Sequence, residues 1–319
     1  MHTIATPGLW SAFLAVLVLA LAVDFLLLRA RGAHRVSFRE AAGWSIAWIA
    51  LALAFDAALW WWLQAHAGRA VADDIALEFL TGYLVEKALA IDNIFVFLMV
   101  FNYFSVPAAL RQRALMLGVL GAIVLRAVMI LVGAALVARF HWILYLFGLF
   151  LFVTGIKMLF ASSQAPDLEQ NAILGWMRRH LRLTRDFRGS ALRVLEDGRK
   201  AYTPMFVVMV LIAVTDVIFA VDSIPAIFAV TLDPFVVLTS NVFAVLGLRA
   251  LFFLLAGMAD RFHLLGHGLA AVLLFIGAKM LLAGVWKIPI GAALVVVAVL
   301  IAASILASLA WPQRKADTG

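Results

Sequence analysis

Two stretches of the chain carry carboxylates where a carboxylate is hard to accommodate. Glu86 and Asp92 occur in EKALAIDNIFVF, and Asp216 and Asp222 in DVIFAVDSIPAIF. In each stretch six residues separate the acids, and a small polar residue, Asn93 or Ser223, follows the second. All four sit within apolar runs, where an ionised acid at a helix centre costs roughly 2.5–3.5 kcal/mol unless it is paired or hydrated. Carboxylates beside Asn, Ser and Thr oxygens make a hard-oxygen donor set suited to magnesium, calcium or manganese, and oxygen donors alone do not separate these ions. Thr215, next to Asp216, adds a neutral oxygen. With no cysteine in the chain there is no thiolate metal site, no disulfide and no CxxCH haem attachment. Carboxylates in a low-dielectric site also exchange a proton for a metal as their neighbours change, which suits proton antiport.

Four basic residues accompany these acids inside apolar runs. Arg126 and Arg249 share an LRA motif, in VLRAVMILVGA and GLRALFFLLAG, and Lys157 and Lys279 share GxKM, in FVTGIKMLF and LFIGAKMLL. Four bases against four acids permit a charge-balanced core that holds no ion. Burying so many charges for packing alone is unfavourable, which favours the ion site, with the bases as counter-charges that hold it together and swing aside when a cation enters. The acidic pair, LRA and GxKM recur in the same order, defining a three-helix unit present twice. A unit that crosses a membrane an odd number of times returns inverted, and inverted repeats with a midplane site at their interface characterise secondary transporters.

The elements that must position these groups follow from composition. The chain has 319 residues, 66% apolar and 13% charged, against soluble norms of about 45–50% and about 25%. Runs of about 20 apolar residues predict nine transmembrane helices at 9–28, 41–63, 77–101, 114–138, 142–160, 205–230, 235–258, 264–286 and 288–311. The expected fold is an all-α polytopic membrane protein with two inverted three-helix repeats. Its parts are a two-helix segment over 1–70, the first repeat over 71–161, a basic linker over 162–203, the second repeat over 204–287, and a final helix and tail over 288–319. The first run lacks a positively charged n-region and is too long for a cleaved signal, so it is read as a retained helix.

Alternate loops hold 17 and 3 basic residues, which predicts an external N-terminus and a cytoplasmic C-terminus. The net charge of +7 is therefore a matter of membrane orientation and not of nucleic-acid binding. The linker, around WMRRHLRLTRDFR, reads as a solvated segment with an interfacial amphipathic helix held to anionic lipid.

Six helical residues span about 9 Å and about 240°, so each acidic pair cannot share one face of a regular helix. With the third and sixth helices antiparallel, Glu86 and Asp222 are expected on the outer side of midplane and Asp92 and Asp216 on the inner side. Convergence of all four requires unwinding, for which Pro225 is the expected cause in the sixth helix and Asn93 or Gly82 in the third. His263 and His267, in HLLGH, have helical ligand spacing but no evident third ligand and read as interfacial. There is no GxSxG, HExxH or P-loop, so neither a hydrolase nor an ATP-driven pump is expected, and transport would be gradient-driven.

Through EKALAIDNIFVF and DVIFAVDSIPAIFAV, over about residues 9–311, the chain resembles the TerC family, which includes the Alx-type proteins. The resemblance implies a bacterial inner-membrane manganese exporter in which Glu86, Asp92, Asn93, Asp216, Asp222 and Ser223 handle the metal; manganese rests on the resemblance, a hard divalent cation on the residues. The tellurium of the family name implies no oxyanion transport here, since four midplane acids repel tellurite. Two other functions are weighed against export. One is a membrane scaffold or insertion partner with a structural charged core; the other is a proton-coupled anion carrier centred on Arg126 and Arg249.

Overall fold

A computed structural model describes residues 3–31, 36–160, 171–196, 198–256 and 264–311. His263 and the basic residues of the C-terminal tail lie outside these. The chain forms helices α1 (Pro7–Arg31), α2 (Phe38–Ala67), α3 (Arg69–Tyr103), α4 (Ala108–Arg139), α5 (Ile143–Phe160) and α6 (Ala172–His180). A short hairpin follows, β1 (Arg193–Glu196) and β2 (Arg199–Tyr202), then α7 (Pro204–Phe228), α8 (Pro234–Leu246), α9 (Leu248–Ala256), α10 (Leu265–Leu282) and α11 (Ile290–Ala310).

Seven of these helices are long and apolar enough to cross a membrane, or eight if α8 and α9, bent by 41° at their junction, form one span. The expected count of nine also needs α3, which carries too many acids and bases for that criterion. Its burden is met by packing, since Glu86 is fully buried among neighbouring helices. Apolar side chains such as Val18, Leu19, Val128, Val132, Val295 and Leu306 are exposed on α1, α4 and α11. That inside-out pattern suits contact with lipid.

Local chemistry sets the element boundaries. Gly68, at φ +89°, adopts the left-handed conformation that lets α2 turn into α3 through a single residue. The Trp60 indole then donates to Asp73 Oδ1 at 2.7 Å across that turn. Asp233 caps α8, accepting from the backbone N–H groups of Phe235 and Val236. The same carboxylate accepts from Thr3 Oγ1 and from the Ile4 N–H, fastening the chain ahead of α1 to the start of α8. Near the other end of α1, Asp24 pairs with Arg249 of α9.

Helices α5 and α10 lie backbone to backbone. A Cβ at Gly277 would stand 2.8 Å from the Gly148 carbonyl and 2.7 Å from the Phe152 nitrogen, and one at Gly155 would stand 3.0 Å from both the Ala270 carbonyl and the Leu274 nitrogen. Gly155 and Gly277 are the glycines of the two GxKM motifs. Gly148 and Phe152 precede Gly155 by the same steps as Ala270 and Leu274 precede Gly277. The contacts are therefore reciprocal, and they run antiparallel. Only residues without bulk permit such approach between helices in lipid.

The described part of the central basic segment is folded rather than a solvated linker, and it adds one short hairpin to an otherwise helical chain. Leu174 and Met177 of α6 are buried, Arg178 donates to Tyr103 Oη at 3.1 Å, and Arg113 donates to Ser190 Oγ at 2.8 Å. Gly198, at φ +72°, turns the hairpin.

Candidate metal-transport site

Helix α7 packs against both α3 and α4, and Arg126 of α4 reaches across to the acids of α3 and α7. Arg126 of α4 is 1% exposed and lies between the two acidic helices. Its Nη1 pairs with Glu86, its Nη2 donates to Asp216 Oδ1 at 3.1 Å, and Nη1 also reaches Ser223 Oγ at 3.5 Å. One guanidinium thus joins the first acid of each repeat, a use of its planar fork that a lysine could not reproduce.

Beside this pair lies a cavity of about 340 Å³ whose lining includes Glu86, Asp92, Asn93, Arg126, Lys157, Asp222 and Ser223. Its depth runs from Glu86, fully buried, to Lys157, exposed on the last turn of α5. Glu86 Oε2 and Asn93 Oδ1, on residues of this lining, are buried with no hydrogen-bond partner, as is Asp216 Oδ2 behind it. Buried oxygens with unused acceptor capacity are uncommon and call for an explanation. Among the described residues, no three His, Asp or Glu side chains converge into a ready-made metal cage.

The two acidic layers expected from helical geometry do not form. Glu86 and Asp216 meet on one arginine, and Glu86, Asp92 and Asp222 line one cavity, while α3 and α7 stay helical through all four acids. Unwinding is unnecessary because the guanidinium and the cavity fill the space between the helices. Pro225 leaves α7 helical as far as Phe228. Gly82 does not break α3; it makes room for α8, where a Cβ would lie 2.9 Å from Ser240 Oγ. The break falls instead at Gly247, between α8 and α9, where Lys87 of α3 donates to the Ala244 carbonyl at 3.1 Å.

The remaining residues singled out in the sequence lie elsewhere. Thr215 is outside the cavity lining and donates to Leu211 of its own helix at 2.7 Å. Arg249 balances Asp24 and not the four central acids. Lys279 donates to the Ala229 carbonyl at 3.4 Å and lies near Glu78. Of the four bases, only Arg126 and Lys157 reach the cavity. Sequence reasoning missed Thr154, which shares the lining; its signal was a polar residue one helical turn before Lys157 in FVTGIKMLF.

Residues 71–316 match the TerC family of integral membrane proteins. The chain belongs to that family. It is 54% identical over 297 residues, 93% of each chain, to a Shigella flexneri protein named membrane-bound redox modulator Alx. A Photorhabdus laumondii protein of the same name is 48% identical over 98% of each chain. An uncharacterized membrane protein of Myxococcus xanthus is 45% identical over 96% of this chain and 93% of its own. No solved structure gives a significant match. Helices α1 and α2 precede the part of the chain that the family match covers.

Proposed function

We propose that this TerC-family protein is a secondary transporter that exports a hard divalent cation, manganese foremost, from the cytoplasm across the bacterial inner membrane in exchange for protons. The observation that carries this is the charge at the cavity. Among the described residues, Glu86, Asp92 and Asp222 line it with Arg126 and Lys157, Asp216 joins them from behind by sharing Arg126, and Arg249 and Lys279 are engaged elsewhere. Four formal negative charges against two positive leave room for one divalent cation. The orphaned oxygens of Glu86 and Asn93 supply acceptor capacity for it, and an all-oxygen set is what manganese or magnesium prefers.

In this mechanism Arg126 stands in for the cargo while the site is empty. The entering ion replaces it on Glu86, with Asp92, Asn93, Asp222 and Ser223 as further ligands, and the metal cage forms only when the guanidinium moves. Protonation of the same carboxylates returns the site to its metal-free state. The reciprocal, antiparallel contacts of α5 and α10 support two inverted repeats that rock about a shared seam. The loop count supports an external N-terminus and a cytoplasmic C-terminus. The relatives' name concerns redox; this chain carries no cysteine and so no thiol–disulfide couple, and any redox effect would act through the ion.

Everted vesicles containing the protein should move manganese, and Asp92→Asn or Asp222→Asn should abolish the flux while leaving thermal stability near wild type. Equal fluxes in all three would sink the assignment. Absence of manganese-dependent stabilisation of the purified protein at every pH would favour a scaffold. Transport inhibited by an organic or inorganic anion, with the inhibition lost in Arg126→Gln, would favour an anion carrier.

A further inference from the structure

A second cavity lies further along the same helices, toward the α7–α8 turn. It has a volume of about 400 Å³ and is lined by Ala134, Val137, Ala138 and His141 of α4 and the turn after it, and by Phe228, Leu232 and Asp233. Helices α4 and α7 therefore line both cavities, α4 with Arg126 and then Ala134, α7 with Ser223 and then Phe228. Eight helical residues cover about 12 Å, and over that stretch Ile130 of α4 and Ile224 and Phe228 of α7 are buried, the last two against Gly133.

Phe228 is seated there in a particular way. A Cβ at Gly133 would lie 2.8 Å from its Cε2 atom, so the ring occupies a notch that only glycine provides. On another side its ring stacks against Phe147 at 6.4 Å between centroids. The preceding Ile227 faces Gly82 of α3, where a Cβ would be 3.7 Å from its Cγ2. The corresponding residue of the first repeat, as far past Asp92 as Phe228 is past Asp222, is Leu98, which is smaller and only partly buried. Phe228 therefore has no aromatic counterpart at the matching register of the first acidic stretch.

We propose that Phe228 is the gate between two compartments of one cation path, and that the outer cavity, with His141 and Asp233 on its wall, is the vestibule into which the cation is released. This rests on the transport function proposed above. Asp233 already accepts from Thr3 Oγ1 and the N–H groups of Ile4, Phe235 and Val236, so the vestibule receives a hydrated ion and does not grip a bare one. Opening requires the Phe228 ring to leave its notch, which sliding α7 against α4 would accomplish.

The chain has no native cysteine, so single cysteines report access directly. Leu232→Cys places a thiol in the vestibule and Thr154→Cys one in the central cavity. A membrane-impermeant maleimide applied from the α7–α8 side should label Leu232→Cys and spare Thr154→Cys. Adding Phe228→Ala should raise labelling of Thr154→Cys from that side to the rate seen for Leu232→Cys. Phe228→Leu should keep the block, which guards against general loosening. If Phe228→Ala fails to fold, Gly133→Ala, which displaces the ring while keeping it, should give an intermediate rate. Labelling of Thr154→Cys from that side with Phe228 intact, or labelling unchanged in Phe228→Ala and Gly133→Ala, whichever of them folds, would overturn the gate. The assay needs neither metal nor gradient. Lost manganese flux with ring-dependent labelling would reject the cargo alone, and flux with ring-independent labelling would reject the gate alone.

Discussion

The two copies of the LRA motif have opposite fates. Arg126 is fully buried on a straight α4 and joins Glu86 to Asp216, whereas Arg249, its counterpart, follows a 41° bend and pairs with Asp24 on α1, with the side chains 16% and 12% exposed. The difference starts two residues earlier. Val124 precedes Arg126 in an unbroken helix, while Gly247 precedes Arg249 and marks the break. Glycine weakens a helix interior, and here the gap is occupied by Lys87 and Trp48, since a Cβ at Gly247 would lie 2.6 Å from Lys87 Nζ and 3.2 Å from Trp48 Cβ. A near-identical motif thus becomes the centre of the site in one repeat and a peripheral ion pair in the other. Matching motifs need not occupy matching places: the copy on an unbroken helix is central, and the copy that follows Gly247 is peripheral.

The largest expected consequence is at Arg126. Arg126→Leu leaves Glu86 and Asp216 buried without their shared partner and should destabilise the protein by about 3–5 kcal/mol, read as a loss of thermal stability in detergent. Adding Glu86→Gln and Asp216→Asn should recover most of that loss. A harmless Arg126→Leu would mean that the two arginines do not differ as described. Next come the seam glycines. Gly155→Val and Gly277→Val each force bulk against backbone and should cost about 1–3 kcal/mol or more; because their contacts are reciprocal, the two melting shifts should agree, and a marked inequality would break the equivalence of α5 and α10. Val124→Gly, which gives the first repeat the residue of the second, should cost about 0.5–1 kcal/mol. The same measurement on Arg249→Gln and Asp24→Asn should give a smaller loss than Arg126→Leu, because one carboxylate and not two loses its partner, with the double variant no worse than either single one.

Much of the helix inventory was legible because apolar runs of bilayer length have few other uses. The acids were legible for the complementary reason, since a charge inside such a run stands out. Their depth was not. A helical wheel treats each helix as an isolated rod, and it placed Glu86 and Asp216 in different layers because it had no account of a guanidinium from α4 reaching both. Thr215 illustrates a related limit: a hydroxyl in a span can satisfy itself on the carbonyl one turn back, and sequence does not distinguish that from a ligand. The position of the break was misjudged because Pro225 is the more conspicuous residue. A proline near the end of a helix disturbs little, whereas Gly247 lies where α8 must make room for Lys87 and Trp48. Arg249 could not be separated from Arg126 by spacing, since its partner Asp24 is 225 residues away.

Helix α1 is fastened at Asp233 ahead of its start and at Arg249 near its end, and those two residues lie on either side of the bend between α8 and α9. It is therefore a splint laid across a fracture. The stretch from Thr3 to Asp24 is about 30 Å of nearly continuous helix, a rigid length that fixes the separation of the two ends of the bent span. Straightening or sharpening the bend must slide α1 through the lipid or release one of its fastenings. A helix that lines neither cavity of the cation path thereby sets how far the α8–α9 span can flex.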